Sequence, residues 1–393
     1  MRDKWLQLKK RAAGCFTSTI SAPLSIAKWM RISKHQKSPM GADPIGTEPA
    51  PACPACGSLG KVAYRGLRDL VFGAPGEWTM KRCSQADCRL LWLDPRPTAS
   101  EIHKAYSVYY THQAAPVGQL GARDIVRKIY YTIREAYSQC RYGYAQGGRK
   151  WWRVFLAPLA HLHPGGADAI AAEAMFLPAP TSGSRLLEIG CGNGYLLKRM
   201  QTLGWNVEGI EFDPACVALL QAQGVRCRSG DLREQQFEAA SFDAVFMGHV
   251  IEHVYNPIEF LKECSRVLRP GGTLVALTPN SNSLGHRMFG RDWRGLEPPR
   301  HLQIFNRANL DRMVRSSGFS HVKTSTTNRG AWYLWGASSA ISSARSRGQS
   351  LLQWNARLLS ARGLLCQVAG RAVSLIRPDA GDETLVIAYR ATQ

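Results

Sequence analysis

From Arg185 onward, short apolar runs alternate with amphipathic stretches, and each change of period predicts a change of element. Leu186, Leu187 and Ile189 predict a buried strand that passes through Gly190, Gly192 and Gly194 into a helix. Further strands are predicted over Asn206–Phe212, Val225–Gly230, Phe242–Val250, Thr273–Thr278, Phe319–Thr326 and Glu383–Tyr389. Between them, Asn256–Leu268 places Ile258, Leu261, Cys264 and Leu268 on one helical face, and Asn306–Ser317 forms another helix. Arg269-Pro270-Gly271-Gly272 stops the first of these helices before the fifth strand. Strands alternating with helices give an α/β class: a doubly wound, seven-stranded, mostly parallel sheet. A helical insertion, at about 330–378, precedes the last strand; it holds Trp332, Trp335 and several paired leucines, with six Arg and no acidic residue.

Upstream the pattern is less regular. Residues 1–37 carry nine Lys/Arg against Asp3, with Trp5, Leu8, Ala12 and Cys15 at helical spacing. A basic amphipathic helix of this kind suits an anionic membrane surface, and a solvated basic tail is the alternative. A linker rich in Pro, Gly and Ala follows, and then two cysteine pairs, Cys53/Cys56 and Cys83/Cys88. Two thiol pairs at this separation read as a small zinc ribbon, a closed structural site with no open coordination position. Residues 123–153 are basic, with Val126, Ile129, Ile133 and Tyr137 on one helical face among further Tyr and Trp. They read as a helix lidding the core rather than as a stacking surface for bases or sugars. The expected division is 1–50 basic helix and linker, 51–110 ribbon module, 111–180 helical lid, and 181–393 the α/β domain.

Charge narrows the partners. Fifty Lys+Arg against 29 Asp+Glu give a formal +21, which favours something anionic: nucleic acid, phospholipid or a pyrophosphate-bearing substrate. Eleven scattered cysteines argue for a reducing compartment rather than a disulfide framework. No continuous apolar leader and no run of about 20 apolar residues is evident, so the expected location is cytoplasmic, with peripheral contact at the inner face of the cytoplasmic membrane.

The chemistry concentrates at Arg185–Leu197. The alternating glycines allow positive φ and a close ligand approach, and the following helix aims free N–H groups at the turn. Their spacing is neither the dinucleotide G-x-G-x-x-G nor a phosphate loop. The second strand ends in Glu211, placed to accept two ribose hydroxyls; the third is followed by Asp231-Leu232, and the fourth leads into Glu252-His253-Val254.

This ordered set resembles the class I S-adenosylmethionine-dependent methyltransferases, and the run from Arg266 to Asn280 (RVLRPGGTLVALTPN) is similar to the same family. The cysteine pairs running into Pro95-Arg96-Pro97-Thr98 and Tyr109-Tyr110 look like the N-terminal module of bacterial methyltransferases associated with sugars and envelope glycans, with a longer second cysteine spacing here. The resemblance implies a Rossmann-like fold with S-adenosylmethionine over the first two strands. Glu188 would meet the methionine ammonium, Gly190, Cys191, Gly192 and Gly194 would line the methionine, and Glu211 would hold the ribose. Phe212, Asp231 and Leu232 would surround the adenine, with Gly248 and His249 closing the site. Candidate proton acceptors are His249, His253 and His301.

The string His249-Val250-Ile251-Glu252-His253 also matches an H-x-x-E-H zinc-protease pattern, but it lies at a strand end rather than in a helix. In related quinone O-methyltransferases an acidic residue stands where His249 is, and a divalent ion sits on the Glu-His pair. The expected function is O-methylation of an anionic glycan or lipid-linked saccharide of the envelope. RNA methylation, quinone or lipid O-methylation, and a non-catalytic binding role are the alternatives; Thr278-Pro279-Asn280 lacks the [ND]-P-P-[YF] of base-N-methylating enzymes.

Overall fold

The computed structural model describes residues 43–106, 124–145, 147–348, 367–374 and 376–392. The expectations for residues 1–37, for Tyr109-Tyr110 and for most of the leucine-rich part of the insertion lie outside these residues.

The N-terminal module contains β1 (Thr47–Glu48), β2 (Gly60–Leu67), β3 (Trp78–Cys83), β4 (Leu91–Leu93) and β5 (Arg96–Pro97). The α/β domain contributes β6 (Arg185–Ile189), β7 (Asn206–Glu211), β8 (Cys227–Ser229), β9 (Phe242–Gly248) and β10 (Leu268–Pro279). Three more follow: β11 (Gln303–Ile304), β12 (Phe319–Thr327) and β13 (Glu383–Arg390). Seven of these form one sheet in the order β12-β13-β10-β9-β6-β7-β8, parallel except for β13, which runs antiparallel to both neighbours. This is the doubly wound sheet that the pattern predicts.

The strands read as nearly unbroken apolar runs because both faces are covered. Leu186, Val207, Ala244, Phe246 and Val275 face one layer of helices, with Leu197, Met200 and Leu220 opposite them. Leu187, Ile189, Ile210, Val245 and Met247 face the other layer, against Phe260, Leu261, Leu310 and Val314. Two predicted boundaries shift. The fourth strand stops at Gly248, because His249 takes φ +58 and Ile251–His253 curls into a short 3-10 turn. The fifth begins at Leu268, with a register break before Thr273 that absorbs the Pro-Gly-Gly stop.

The N-terminal module is not a separate lobe. β11, from the loop after β10, pairs with β4 and completes a four-stranded antiparallel sheet, β11-β4-β3-β2. Arg300, fully buried beside β11, binds Asp69 (2.8 Å), the carbonyl of Ala105 (2.7 Å) and Glu297 (3.0 Å). Those contacts fasten the module to the post-β10 loop.

The basic aromatic stretch divides in two. In the helix Asp124–Tyr142 and the turn after it, Tyr130 and Arg134 bond Glu173, while Tyr144 bonds Pro178 and Trp205, so the tyrosines pack. Trp151 and Trp152 point outward. The first helix of the insertion, Ala331–Arg347, packs against the post-β10 loop, where Ser338 accepts from the Arg294 amide (2.9 Å), and its Trp335 donates to Asp382 just before β13 (2.8 Å).

Candidate active site

β6 ends in the glycine turn, where Gly190, Gly192 and Gly194 take φ of +70, +52 and +70. The space is as restrictive as the backbone: a Cβ on Gly190 would come within 2.6 Å of Val250 Cγ2, and one on Gly194 within 2.2 Å of Leu220 Cδ2. The amides of Gly190 and Cys191 both donate to Ile210 O (2.8 and 3.1 Å), which sets the turn across the end of β7. Glu211 then locks it. Its Oε2 accepts from the Gly192 amide (2.7 Å), and its Oε1 accepts from the amides of Phe212 (2.8 Å) and Asp213 (3.1 Å). Oε2, which accepts only once, retains lone-pair capacity for a ligand hydroxyl.

Glu188, buried under this turn, has one oxygen, Oε2, without a hydrogen-bond partner. Burial, then the charge of Glu211, pushes its carboxyl well above the ordinary range. Such an orphan is costly on its own and suits a cationic ligand group. Phe212 is an exposed ring beside the strand end, whereas Leu232 is buried. Asp231 caps the turn Leu232–Gln235, accepting from the Arg233 amide (2.9 Å) while the Glu234 carboxylate accepts from the Asp231 amide (2.9 Å). Cys191 Sγ lies 3.6 Å from Cys227 Sγ. The orphaned carboxylate, the cramped glycine cradle and the exposed aromatic ring together fit the methionine, ribose and adenine parts of S-adenosylmethionine.

A second cluster sits at the carboxyl end of β9 and β10. His249 Nε2 lies 2.8 Å from Glu383 Oε1, and its Nδ1 lies 3.3 Å from Glu252 Oε1. Arg329 grips Glu383 with two bonds (2.8 and 3.0 Å), and Thr278 donates to Glu252 Oε2 (2.9 Å). Burial alone would lower the imidazole, but the two carboxylates outweigh it and raise His249 to about 10. Burial would likewise raise both glutamates; it is overcome at Glu252 mainly by His249 and at Glu383 by Arg329 and His249, holding each at about 2. His249 is therefore an imidazolium near neutrality, able to donate and unable to accept a proton.

His301 differs. Burial, opposed by Glu297, lowers it to about 4. Its Nδ1 is 2.8 Å from Gly295 O, which makes Nδ1 the protonated nitrogen and leaves Nε2 as an acceptor, 4.0 Å from Glu252. His253 Nδ1 lies 2.9 Å from both Arg300 O and the Tyr106 hydroxyl, and its ring packs edge-on against His301 at 4.8 Å. Glu252, His253 and His301 each bring a ligand atom within 4.8 Å of the others, the spacing of a site able to share a divalent ion. The three histidines singled out in the sequence thus gather around Glu252.

Glu383 and Arg329 escaped the sequence reading. Each is more than 75 residues from His249, yet Glu383 opens an antiparallel strand, and such a strand begins where its parallel neighbours end. That reversal was the available signal.

The four ribbon cysteines converge, their sulfurs all within 4.8 Å of one another. Cys53 and Cys88 are 3.8 Å apart and Cys56 and Cys83 3.4 Å, close to the roughly 3.8 Å edge of a tetrahedron with Zn–S of about 2.3 Å. The first pair closes through Gly57 at φ +72, whose amide bonds Cys53 O (2.8 Å). The longer second pair closes through Arg89 at φ +49, whose amide bonds Gln85 O (3.1 Å). The donor set fits a structural zinc.

Residues 165–324 match the family model described as a methyltransferase domain. A probable S-adenosylmethionine-dependent methyltransferase of Mycolicibacterium smegmatis is 37% identical over 142 residues, 35% of this chain and 52% of that protein. A ubiquinone biosynthesis O-methyltransferase of Cereibacter sphaeroides is 35% identical over 161 residues, 37% of this chain and 65% of that protein. Among solved structures, a phosphoethanolamine N-methyltransferase of Haemonchus contortus aligns with a TM-score of 0.40 and 18% identity, over 77% of this chain and 63% of that one. Residues 165–324 are thus a methyltransferase domain of the S-adenosylmethionine-dependent class. The chain spans 52% to 65% of the two curated relatives, and only the second of these names an acceptor pathway.

Proposed function

We propose that the protein transfers a methyl group from S-adenosylmethionine to a hydroxyl of a glycan or lipid-linked saccharide of the cell envelope. The observation that carries the methyl-transfer reading is Glu188, buried beneath the glycine turn with Oε2 unpartnered. Glu188 would take the methionine ammonium, Glu211 the ribose hydroxyls and Phe212 one adenine face, while Gly190, Cys191, Gly192, Gly194, Asp231, Leu232 and Gly248 complete the walls. Bound there, S-adenosylmethionine supplies an already activated methyl group, so the chain's task is to place the acceptor and remove its proton.

His301, neutral and with an unprotonated Nε2 facing Glu297 (3.6 Å) and Glu252 (4.0 Å), and His253 beside it are the candidate bases. His249, whose two N–H groups are both taken by Glu252 and Glu383, would instead lend fixed positive charge to this wall of the site. An overall charge of +21 favours an anionic acceptor such as a pyrophosphate-linked saccharide. The four-cysteine cluster would hold zinc that stabilises the ribbon, and through β11 the ribbon would brace the post-β10 loop that carries His301. A cytoplasmic location follows from the same acceptor class.

A second reading, methylation of a hydroxyquinone, is favoured by the name of the Cereibacter relative and by the Glu252-His253 pair. Incubating the full chain with methyl-labelled S-adenosylmethionine and three acceptor fractions separates them: polyprenyl-pyrophosphate saccharides, hydroxyquinone precursors and RNA. Label in the saccharides supports the first reading. Label confined to the quinone or the RNA overturns it, and absence of transfer to any fraction in a protein that binds the donor product favours a non-catalytic role.

A further inference from the structure

Residues 149–162 are folded inside out. Arg153 is buried together with the small Ala157 and Ala160, its guanidinium bonded to Glu135 (2.5 Å) and Gln139 (3.2 Å) on the helix Asp124–Tyr142. Gln139 also clamps the Lys150 backbone, donating to its carbonyl (3.1 Å) and accepting from its amide (3.2 Å). These anchors leave most of the large apolar side chains facing outward. Trp151 is 79% exposed, Phe155 69% and Leu162 78%, with Trp152, Val154 and Leu159 also exposed. The rings of Trp151 and Phe155 meet edge to face at 6.2 Å and 90°. Arg149 and Lys150 flank it in solvent, and no acidic residue occurs between 143 and 167.

We propose that this platform seats in the interfacial layer of an anionic phospholipid membrane. Trp and Phe bury their rings at the headgroup level, while neighbouring cations meet lipid phosphates. A second copy of the chain is a poorer occupant, because a two-fold contact would set Arg149 and Lys150 against themselves with no acid to pair. Residues 1–42, 107–123 and 349–366 are poorer too: together they hold one acidic residue, Asp3.

The placement bears on the acceptor. Three residues past Leu162, Gly165 packs so tightly that a Cβ there would lie 3.1 Å from Asn328 O and 3.2 Å from Arg329 Cα. Asp168 accepts from the Thr327 hydroxyl (2.9 Å) just before it. The platform is therefore tied to the turn whose Arg329 holds Glu383 against His249. Lipid contact would bring that edge of the site to the bilayer surface, whichever hydroxyl is methylated.

The test is flotation of the full chain with vesicles of phosphatidylcholine alone or mixed with phosphatidylglycerol. The wild-type protein should float with the anionic vesicles, less so as salt rises. Trp151→Ser with Phe155→Ser should lower partitioning by about tenfold or more, from the lost interfacial aromatic area. Affinity for S-adenosylhomocysteine and the melting temperature should not change, which separates this proposal from the methyl-transfer reading. Arg149→Glu with Lys150→Glu should weaken flotation through charge alone. Overturning results are wild-type flotation of the aromatic variant, no flotation of either protein, or a wild-type dimer that the aromatic variant dissolves.

Discussion

Replacing Glu188 by Gln keeps the side-chain volume and removes the charge that its site disfavours. A buried, unsatisfied polar group costs about 1–3 kcal/mol, more when charged, so the ligand-free variant should gain about 1 kcal/mol. For a domain of this size that is a rise of about 2–4 °C in melting temperature. Binding moves the opposite way. The ammonium of S-adenosylhomocysteine would lose a charge-assisted bond worth about 1.5–3 kcal/mol, or roughly 10- to 150-fold in affinity. The pH dependence has a definite sign. Burial raises the native carboxyl above its unfolded value of about 4.3, so the native state holds more protons through that window. Wild-type stability therefore falls, relative to the variant, as pH rises from the unfolded carboxyl range toward the raised native value, and the two converge in acid. Scanning fluorimetry from pH 5 to about 8, with and without S-adenosylhomocysteine, reads both effects. A variant that loses stability at neutral pH yet binds like wild type would refute the reasoning.

Three further outcomes follow from the geometry. His249→Gln should cost about 1–2 kcal/mol at neutral pH, less than a fully buried pair because the His249 side chain is 41% exposed. Its folded value of about 10 lies above the unfolded value of about 6.5, so the stabilisation is complete below that lower value and fades as pH rises through about 10; urea midpoints of the two proteins that stay equally far apart across that window would count against it. Arg300→Ala, which strands buried Asp69 and Glu297, should lower stability by about 3–5 kcal/mol and speed proteolysis of the N-terminal module; a loss below about 1 kcal/mol contradicts the seam. Metal analysis should find about one zinc per chain, lost in Cys88→Ser with destabilisation of the module; well under one zinc in the wild-type protein refutes the site.

The sheet was legible because its strands are buried on both faces. Leu186-Leu187 and Val245-Phe246 leave no polar register to confuse with a surface strand. The glycine turn and Glu211 could be read because their spacing along one strand-turn-helix unit fixes their geometry. What could not be read depends on pairing across long separations. The two residues of β11 carry no strand signal of their own and exist as a strand only against Leu91 and Trp92. The His249–Glu383–Arg329 network needs the direction of β13, which periodicity does not give. The outward tryptophans at 151 and 152 read as a packing face, since nothing in the pattern shows that Arg153 takes the buried position.

The central claim is that the turn between β6 and the helix Tyr195–Thr202 holds a methionine-bearing nucleoside. Titration calorimetry of S-adenosylhomocysteine into the full chain tests it most directly. The account predicts saturable one-to-one binding that Gly192→Val or Glu211→Ala abolishes or greatly weakens. Absence of binding by the folded wild-type protein, or binding that both variants retain, would contradict it.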